Sequence, residues 1–216
     1  MQGDKIISCR HSEFSSINKI DESALANIDF AEQLVMADGT EPPASIDTRV
    51  GIEWNDNGLL VFFHGRFDTL RLAPDLVPMP AHAKTHNLWE LSDVYEVFIG
   101  VHASQSKLYK EFQVSPEGRW LDIDVNKQLG ISNHYWYSGL QCCSFVDNEM
   151  KIWSSIIELP WNCFGLHTRT EDVWHANFYR ASGTHHGDEL MAWSPTGYGE
   201  KCFHRSEHFG TIQFER

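Results

Sequence analysis

Residues 49–67 read RVGIEWNDNGLLVFFHGRF. Apolar and polar residues alternate from Arg49 to Trp54, as expected for a strand that turns one face toward a core. The pair Asn57-Gly58 follows, and this pair favours the left-handed positions of a tight turn. A second apolar run then extends from Leu59 to Phe67. The stretch therefore predicts a β-hairpin.

Strand-like segments recur along the rest of the chain. They are residues 94–101, 107–114, 120–125, 141–146, 150–159, 173–180 and 210–214. Residues 71–87 contain three prolines and predict a long loop, and residues 160–165 predict one helical turn that ends at a glycine. Many short strands without a long amphipathic helix predict an all-β fold. We expect an antiparallel β-sandwich, jelly-roll or immunoglobulin-like, as a single domain over residues 1–216.

The charge balance bears on the class of partner. The chain has 216 residues with 30 acidic and 17 basic side chains, which gives a formal charge of −13. Binding to nucleic-acid phosphates or to anionic membranes depends on clustered Lys and Arg side chains. The composition therefore predicts no nucleic-acid partner and no membrane partner.

The cysteines and the N-terminus bear on the cellular compartment. Five cysteines, two of them the adjacent Cys142 and Cys143, lack the regular spacing of a disulfide framework. No apolar segment typical of a secretory signal follows Met1. Both features favour a cytoplasmic protein with reduced thiols. A secreted or periplasmic protein remains the alternative if a signal has been removed.

Alternation within four predicted strands assigns polar and aromatic side chains to the face opposite the core. The set comprises Glu96, Tyr109, Glu111, Gln113, Trp120, Asp122, Asp124, His175, Asn177 and Tyr179. If these strands are neighbours, that face is rich in hydrogen-bond acceptors and aromatic rings. Sugar hydroxyls donate to carboxylates and the C–H faces of sugars stack on aromatic rings, so the pattern favours carbohydrate binding. The alternative is an ordinary solvated sheet face.

Five sequence segments occur in an order typical of a known family. They are Leu88-Trp89-Glu90 with Asp93–Ile99, Tyr109–Val114 with Pro116-Glu117-Gly118 and Asp122, Trp153–Trp161, Asn177–Arg180, and Ala192–Thr196 with Phe203-His204 and Phe209-Gly210. In this order they resemble the motifs of family-nine carbohydrate-binding modules and of stand-alone domains like them. The resemblance covers roughly residues 48–214. The spacing from Trp89 to Asp93 is one residue longer than usual, and residues 185–188 have no counterpart.

The resemblance implies a module that binds a mono- or oligosaccharide and does not cleave it. It implies that the sugar stacks between Trp89 and Trp193. The hydrogen-bonding partners that it implies are Glu96, Glu111, Asn177 and Arg180. Strict alternation turns Arg180 toward the core, so a ligand role there requires a bulge, and a buried ion pair is the alternative.

The resemblance also implies structural calcium, the one cofactor that we consider. The available carboxylates are Asp122, Asp124, Asp147 and Asp188, although no contiguous calcium-loop spacing is present. The ligands therefore stay unassigned.

Two other functions are compatible with the sequence. Glu96 and Glu111 could form the carboxylate pair of a glycoside-acting enzyme. A haem-binding or protein-interaction sandwich could use Met79, Met191 or histidines, although no C-x-x-C-H attachment motif is present. The spacing of His82 and His86 and the adjacent pair His185-His186 are more typical of exposed polar residues than of a metal site.

The eight tryptophans divide into three groups. Trp54, Trp153, Trp161 and Trp174 are expected to pack in the core, because they occupy apolar or scaffold positions. Trp89 and Trp193 are the predicted stacking residues. Trp120 and Trp136 stay unassigned.

Overall fold

The computed structural model describes residues 5–30, 32–74, 83–101, 107–168, 173–182, 189–199 and 202–215. The strands in these ranges are β1 (Ile6–His11), β2 (Glu32–Gln33), β3 (Val35–Met36), β4 (Thr48–Trp54), β5 (Gly58–Arg66), β6 (Val94–Gly100), β7 (Leu108–Val114), β8 (Trp120–Asn126), β9 (Ile131–Asn133), β10 (Gln141–Asp147), β11 (Ile152–Pro160), β12 (Val173–Ser182), β13 (Glu189–Ala192) and β14 (Gly210–Phe214). Helix α1 covers Leu88–Leu91, and short 3-10 helices cover Ile17–Lys19, Glu22–Asn27, Trp161–Phe164, Cys202–His204 and Ser206–His208. Met79, His82, His185, His186 and Asp188, which the sequence singled out, lie outside the described residues.

The strands form two sheets joined along one edge. Sheet I has the order β10-β11-β5-β4, and sheet II has the order β14-β12-β6-β7-β8-β9. Strand β1 joins them, since residues 6–9 pair in parallel with β14 and residues 10–11 pair in parallel with β4. The other pairings between these strands are antiparallel. The β-sandwich is thus confirmed, with β1 as the parallel exception that the sequence pattern does not reveal.

Aromatic side chains from both sheets meet in the core between them. Phe63 of sheet I stacks on Tyr95 of sheet II with ring centroids 4.6 Å apart, and Tyr95 stacks on Trp153 of sheet I at 3.8 Å. Trp161 and Trp174 are buried in the same core, as predicted, and Trp54 is half-buried against it. Most of the tryptophan content therefore stabilises the fold.

Sheet II is buried on its second face as well. A layer of apolar side chains covers it, and the 3-10 helix Cys202–His204 contributes Cys202 and Phe203 to that layer. We call this layer the outer layer; its buried members are Ala37, Leu88, Val94, Phe98, Tyr109, Leu121, Ile123, Val125, Tyr179, Ala192, Cys202 and Phe203. Because apolar residues occupy both faces of the sheet, alternation alone does not distinguish the inner face from the outer one.

Strand β8 shows the consequence of this ambiguity. The register pairs Glu111 with Ile123 and Phe112 with Asp122. Ile123 therefore lies on the outer layer with Glu111, and Asp122 lies fully buried on the side of the core. The predicted placement of Trp120, Asp122 and Asp124 beside Glu111 is wrong, because β8 presents its apolar side to the outer layer.

The cysteines are all thiols. None of the five, each within the described residues, forms a disulfide. Burial raises the pKa of the Cys142 and Cys143 thiols, which keeps both protonated at neutral pH. Over the described part of the chain, no helix has the length and apolar character needed to cross a membrane.

Candidate functional site

Two carboxyl groups lie next to each other on the outer face of sheet II. Glu96 on β6 pairs with Gln113, and Glu111 on β7 pairs with Phe98, so the two glutamates are diagonal neighbours. Only 4% of Glu96 and 3% of Glu111 are exposed. Burial raises the pKa of Glu111 to about 8, and burial together with the charge of Glu111 raises the pKa of Glu96 well above its usual range. The pair therefore keeps protons at pH values where exposed carboxyl groups are ionised.

His204 lies next to Glu111 of the acidic pair. Gln113 Nε2 donates to Glu111 Oε1 over 2.8 Å, and His204 Nε2 lies 4.0 Å from Glu111 Oε2. The other ring nitrogen of His204 is hydrogen-bonded to the Tyr109 hydroxyl at 2.8 Å. Among the described residues, Glu111 Oε2 and Gln113 Oε1 have no hydrogen-bond partner. These two buried polar atoms are thus unsatisfied by any described residue, and one of them, Glu111 Oε2, lies next to a histidine whose side chain is one third exposed.

Asn177 lies on the same face and is fully buried, but its amide is already engaged. Its Nδ2 donates to the Ser194 carbonyl at 2.7 Å, and its Oδ1 accepts from the backbone N–H groups of Phe178 and Ser194. These bonds hold the chain as it leaves β13. The structure thus gives Asn177 a scaffold role and does not support the ligand role that the resemblance implies.

Arg180 points to the other side of β12, into the core. Its guanidinium donates to the carbonyls of Ile46 and Arg66 and to the hydroxyls of Thr48 and Ser182. Arg180 is 1% exposed. The predicted ligand role is not supported, because the guanidinium links the two sheets inside the sandwich. Alternation predicted this orientation, although the partners are carbonyl and hydroxyl oxygens instead of the expected carboxylate.

Trp193 is fully buried as well. Its backbone N–H donates to the Phe178 carbonyl, and its ring packs 5.5 Å from the Phe178 ring in the core. The indole N–H donates to Glu32 at 2.8 Å, and a Cβ atom on Gly210 would lie 2.4 Å from the indole ring. A sugar can stack only on an exposed ring face. The predicted stacking role of Trp193 is therefore not supported, since the indole lies between the sheets.

Trp89, in contrast, is accessible. It lies on α1, whose neighbouring residue Leu88 packs into the outer layer, and 37% of Trp89 is exposed. Its ring lies 6.4 Å from the His134 ring. The Arg71 guanidinium donates to the Glu90 carbonyl and so fixes this short helix to the preceding loop. Trp193 lies in the core between the sheets and Trp89 lies exposed on α1, so the structure does not bring the two predicted stacking residues together.

Further aromatic side chains surround Trp89 at the edge of β8. We call this group the edge cluster: His86, Trp89, His134, Tyr135 and Tyr137. Residues 83–85 run alongside Trp120, and β9 pairs with the other half of β8, so that the two segments carrying the cluster meet at this edge. The ring of His86 lies 5.9 Å from that of Tyr135. Sequence reasoning gave Trp89 a stacking role but left His134, Tyr135 and Tyr137 without one, although the run Tyr135-Trp136-Tyr137 in a segment without strand alternation was an available signal.

The described aspartates do not fit a shared calcium site. Lys84 forms an ion pair with Asp122, and Lys110 forms one with Asp124 at 2.5 Å. Asp147 accepts backbone hydrogen bonds from Glu149 and Met150 in the β10–β11 turn. Within the described ranges, no group of three or more His, Cys, Asp and Glu side chains is arranged to hold a metal ion. These oxygens serve ion pairs and a turn.

The fold has solved counterparts. No protein-family model and no curated protein sequence matches the chain. A candidate carbohydrate-binding protein from Bacteroides uniformis superimposes with a TM-score of 0.73 and 17% identity, over 98% of this chain and 100% of that one. A family-nine carbohydrate-binding module from Caldicellulosiruptor kristjanssonii in complex with cellotriose superimposes with a TM-score of 0.64 and 10% identity, over 98% of this chain and 94% of the module. A structure of such a module from the same organism with glucose gives 0.63 and 10% identity, over 98% and 96% of the two chains. The chain has the fold of the family-nine modules.

Proposed function

We propose that this chain binds carbohydrate without cleaving it and that Trp89 is the residue on which the sugar stacks. The observation that carries the proposal is a fold shared over nearly the whole chain with modules solved with cellotriose and glucose. An exposed indole beside that fold's outer layer supports it. Fold alone does not determine function, so the proposal depends on the chemistry around Trp89.

The surroundings of Trp89 suit a neutral sugar. The exposed indole face can accept the C–H groups of a sugar ring. The imidazole of His134 lies beside it, and burial lowers the pKa of His134, helped by the nearby His86 and Lys84. A neutral imidazole both donates and accepts hydrogen bonds at pH 7. The carboxylate of Glu90, exposed on the same helix, adds a second acceptor for hydroxyl groups.

Glu111 and Glu96 form the second part of the proposed site. Glu111 Oε2 and Gln113 Oε1 are buried polar atoms without a described hydrogen-bond partner, and leaving such an atom unsatisfied costs free energy. A sugar hydroxyl both donates and accepts, so sugar hydroxyls would satisfy the carbonyl oxygen of Gln113 and the protonated Oε2 of Glu111. Access requires the His204 side chain to turn away from the acidic pair, and Glu96 would then lie behind Glu111. In this proposal Asn177, Arg180 and Trp193 support the scaffold.

The same pair argues against hydrolysis. A glycosidase needs one protonated and one ionised carboxyl group on either side of the scissile bond. Here burial raises the pKa of both carboxyl groups, and both side chains are buried. The environments do not drive the two pKa values in opposite directions. The proposed activity is therefore binding.

Isothermal titration calorimetry with a sugar panel tests the proposal. The panel comprises glucose, cellobiose, cellotriose and the corresponding xylose and mannose series. We expect saturable binding of at least one sugar, and a loss of about tenfold or more in affinity for Trp89→Ala, because that change removes a large apolar contact. The control is Tyr198→Ala, which removes an exposed aromatic ring on the loop after β13.

Two results would contradict the proposal. One is the absence of any heat of binding across the panel, and the other is an unchanged affinity in Trp89→Ala for a sugar that does bind. Release of reducing ends from cellotriose during the titration would contradict the absence of catalysis.

A further inference from the structure

The loop between β9 and β10 combines a fixed backbone with exposed rings. Tyr135 is 93% exposed and Tyr137 is 66% exposed, whereas Trp136 between them packs against the core. Large aromatic side chains are costly to leave in water, and neither tyrosine ring is needed to fill the core. Their exposure calls for a reason other than folding stability.

Hydrogen bonds hold this loop at both ends. The Asn133 side chain accepts from the Tyr135 backbone N–H at 3.1 Å, and the Asp122 carboxylate accepts from the Ser138 N–H at 2.6 Å. Lys84 Nζ donates to the Trp136 carbonyl at 2.5 Å while it pairs with the buried Asp122. The loop therefore presents the two tyrosine rings in a fixed arrangement.

The ring of Trp136 holds the middle of the loop. It lies 6.0 Å from the Phe112 ring, and the Lys110 ammonium lies 4.7 Å from the Trp136 ring centroid. With this ring directed inward, the side chains on either side of it are directed outward. Ligand sites gain affinity when their contact residues are ordered before binding, because less conformational entropy is lost.

The exposed rings continue the surface around Trp89. Trp89 contacts His134, and the next residue, Tyr135, contacts His86. Tyr137 packs edge-on against Trp120 at 5.6 Å, next to the Lys84 side chain. The rings of the edge cluster thus lie on two segments that meet at the margin of β8, and we call them a row; together they offer more surface than one stacking residue.

The charges around this row point to a neutral ligand. Lys84 and Lys110 are each paired with an aspartate, so neither adds a free positive charge to the surface. A row of aromatic rings with hydroxyl and imidazole groups at their edges suits a sugar chain, whose units alternate C–H faces and hydroxyls. A typical protein interface would instead pair such rings with an apolar centre.

We propose that Tyr135 and Tyr137 extend the Trp89 surface, so that the protein binds several consecutive units of a neutral polysaccharide. This inference rests on the proposed carbohydrate binding. It assigns the tyrosines to the units beyond the one that stacks on Trp89. Affinity should then increase with the number of sugar units.

Calorimetry with oligosaccharides of one to six units tests this inference, with cello-, xylo- and manno-oligosaccharides as the probes. We expect the wild-type affinity to rise about 3- to 10-fold for each tyrosine reached by a longer chain. In the double variant Tyr135→Ala/Tyr137→Ala, the ratio of hexasaccharide to shortest-ligand affinity should fall to about one. Tyr198→Ala should keep the wild-type ratio, and Tyr135→Phe/Tyr137→Phe should keep most of it because the rings remain.

The outcomes separate this inference from the proposed function. The role of the tyrosines is overturned if the wild-type affinity does not depend on chain length. It is also overturned if the double alanine variant keeps the wild-type ratio of hexasaccharide to shortest-ligand affinity. Either result leaves sugar binding intact. No binding of any probe overturns both. Sedimentation that shows a wild-type dimer and a monomeric double alanine variant, without a change in the sugar ratio, assigns the row to an interface between two copies and also overturns the inference.

Discussion

The acidic pair and the edge cluster are two polar and aromatic regions of sheet II that differ in access. Glu96 and Glu111 lie buried on the central strands β6 and β7, and Glu111 lies next to His204. Trp89 and Tyr135 lie at the margin of the same sheet, on segments that extend past β8. The regular alternation of the strands sets the direction of the two glutamate side chains, whereas loops position the rings of the edge cluster. Carboxyl groups and aromatic rings are both typical of ligand sites, but here the carboxyl groups are buried and the rings are exposed.

The difference concerns burial more than residue chemistry. Burial of an ionised carboxyl group in the middle of a doubly covered sheet costs free energy, and protonation of the group reduces that cost. An aromatic ring at a sheet margin, on a loop held by hydrogen bonds, is available to a partner. Stability measurements should separate the two kinds of position before any ligand is identified.

The largest expected effect compares the two predicted stacking residues. Trp193→Ala should lower the free energy of unfolding by about 3–5 kcal/mol, because it leaves a core cavity and removes the indole donor from Glu32. Trp89→Ala should lower it by less than about 1 kcal/mol, because an exposed ring contributes little to the core. Urea unfolding at pH 7 measures both. Equal losses in the two variants would contradict the assignment of Trp193 to the core and Trp89 to the surface.

The next effect concerns the support of the edge cluster. Lys84→Met should lower the free energy of unfolding by about 3 kcal/mol, because Asp122 is fully buried and loses its cation. Lys110→Met is the matched control, since its partner Asp124 is 40% exposed, and a loss of about 1 kcal/mol or less is expected. Urea unfolding gives the energies. Amide hydrogen exchange over residues 133–138 should also become faster in Lys84→Met than in the control.

The smallest of the three stability effects is the pH dependence of the acidic pair. An acid whose pKa is higher in the folded than in the unfolded chain binds more protons when folded, so stability falls as pH rises between the two values. For Glu111 this window runs from about 4.3 in the unfolded chain to about 8 in the folded protein. Glu111→Gln mimics the protonated acid and should weaken this fall. The free energy of unfolding of Glu111→Gln, taken relative to the wild type, should be higher at pH 8 than at pH 5 by at least about 1.4 kcal/mol.

Urea unfolding at pH 5 and pH 8 tests this expectation. Glu13→Gln removes an exposed carboxylate and should leave the pH dependence as in the wild type. A Glu111→Gln variant that follows the wild-type curve from pH 5 to pH 8 would contradict the raised pKa of Glu111, because the residue would then titrate alike in the folded and unfolded chains.

The sequence predicts most of the sheet because local patterns determine strands. The hairpin of β4 and β5 follows from its alternation. Its turn differs from the prediction, because neither Asn57 nor Gly58 has a left-handed backbone and the Asn55 side chain accepts from both of their N–H groups. The face of β8 was assigned wrongly because Leu121 and Ile123 are apolar and were therefore expected to face the core, whereas they belong to the outer layer. Strand β1 carries no local signal for parallel pairing with two sheets, since its partners are distant in sequence.

The candidate site is less predictable from sequence than the fold. Trp193 and Trp89 are the same residue type in segments that both resemble family motifs, and only the three-dimensional packing distinguishes the buried ring from the exposed one. Alternation along β12 predicted that Arg180 turns toward the core, whereas the resemblance implied a ligand role. The structure agrees with the alternation. Tyr135 and Tyr137 lie in a loop whose hydrogen bonds to Asp122 and Lys84 are long-range contacts that no local pattern encodes.

The most direct test of the central claim follows the indole N–H signals in a sugar titration. The eight tryptophans give eight indole signals in a ¹H–¹⁵N spectrum, and Trp89→Phe and Trp193→Phe assign the two that matter. Titration with the tightest-binding sugar of the panel should shift the Trp89 signal and leave the Trp193 signal, which is hydrogen-bonded to Glu32, in place. A saturable shift of the Trp193 signal with an unmoved Trp89 signal would contradict the account.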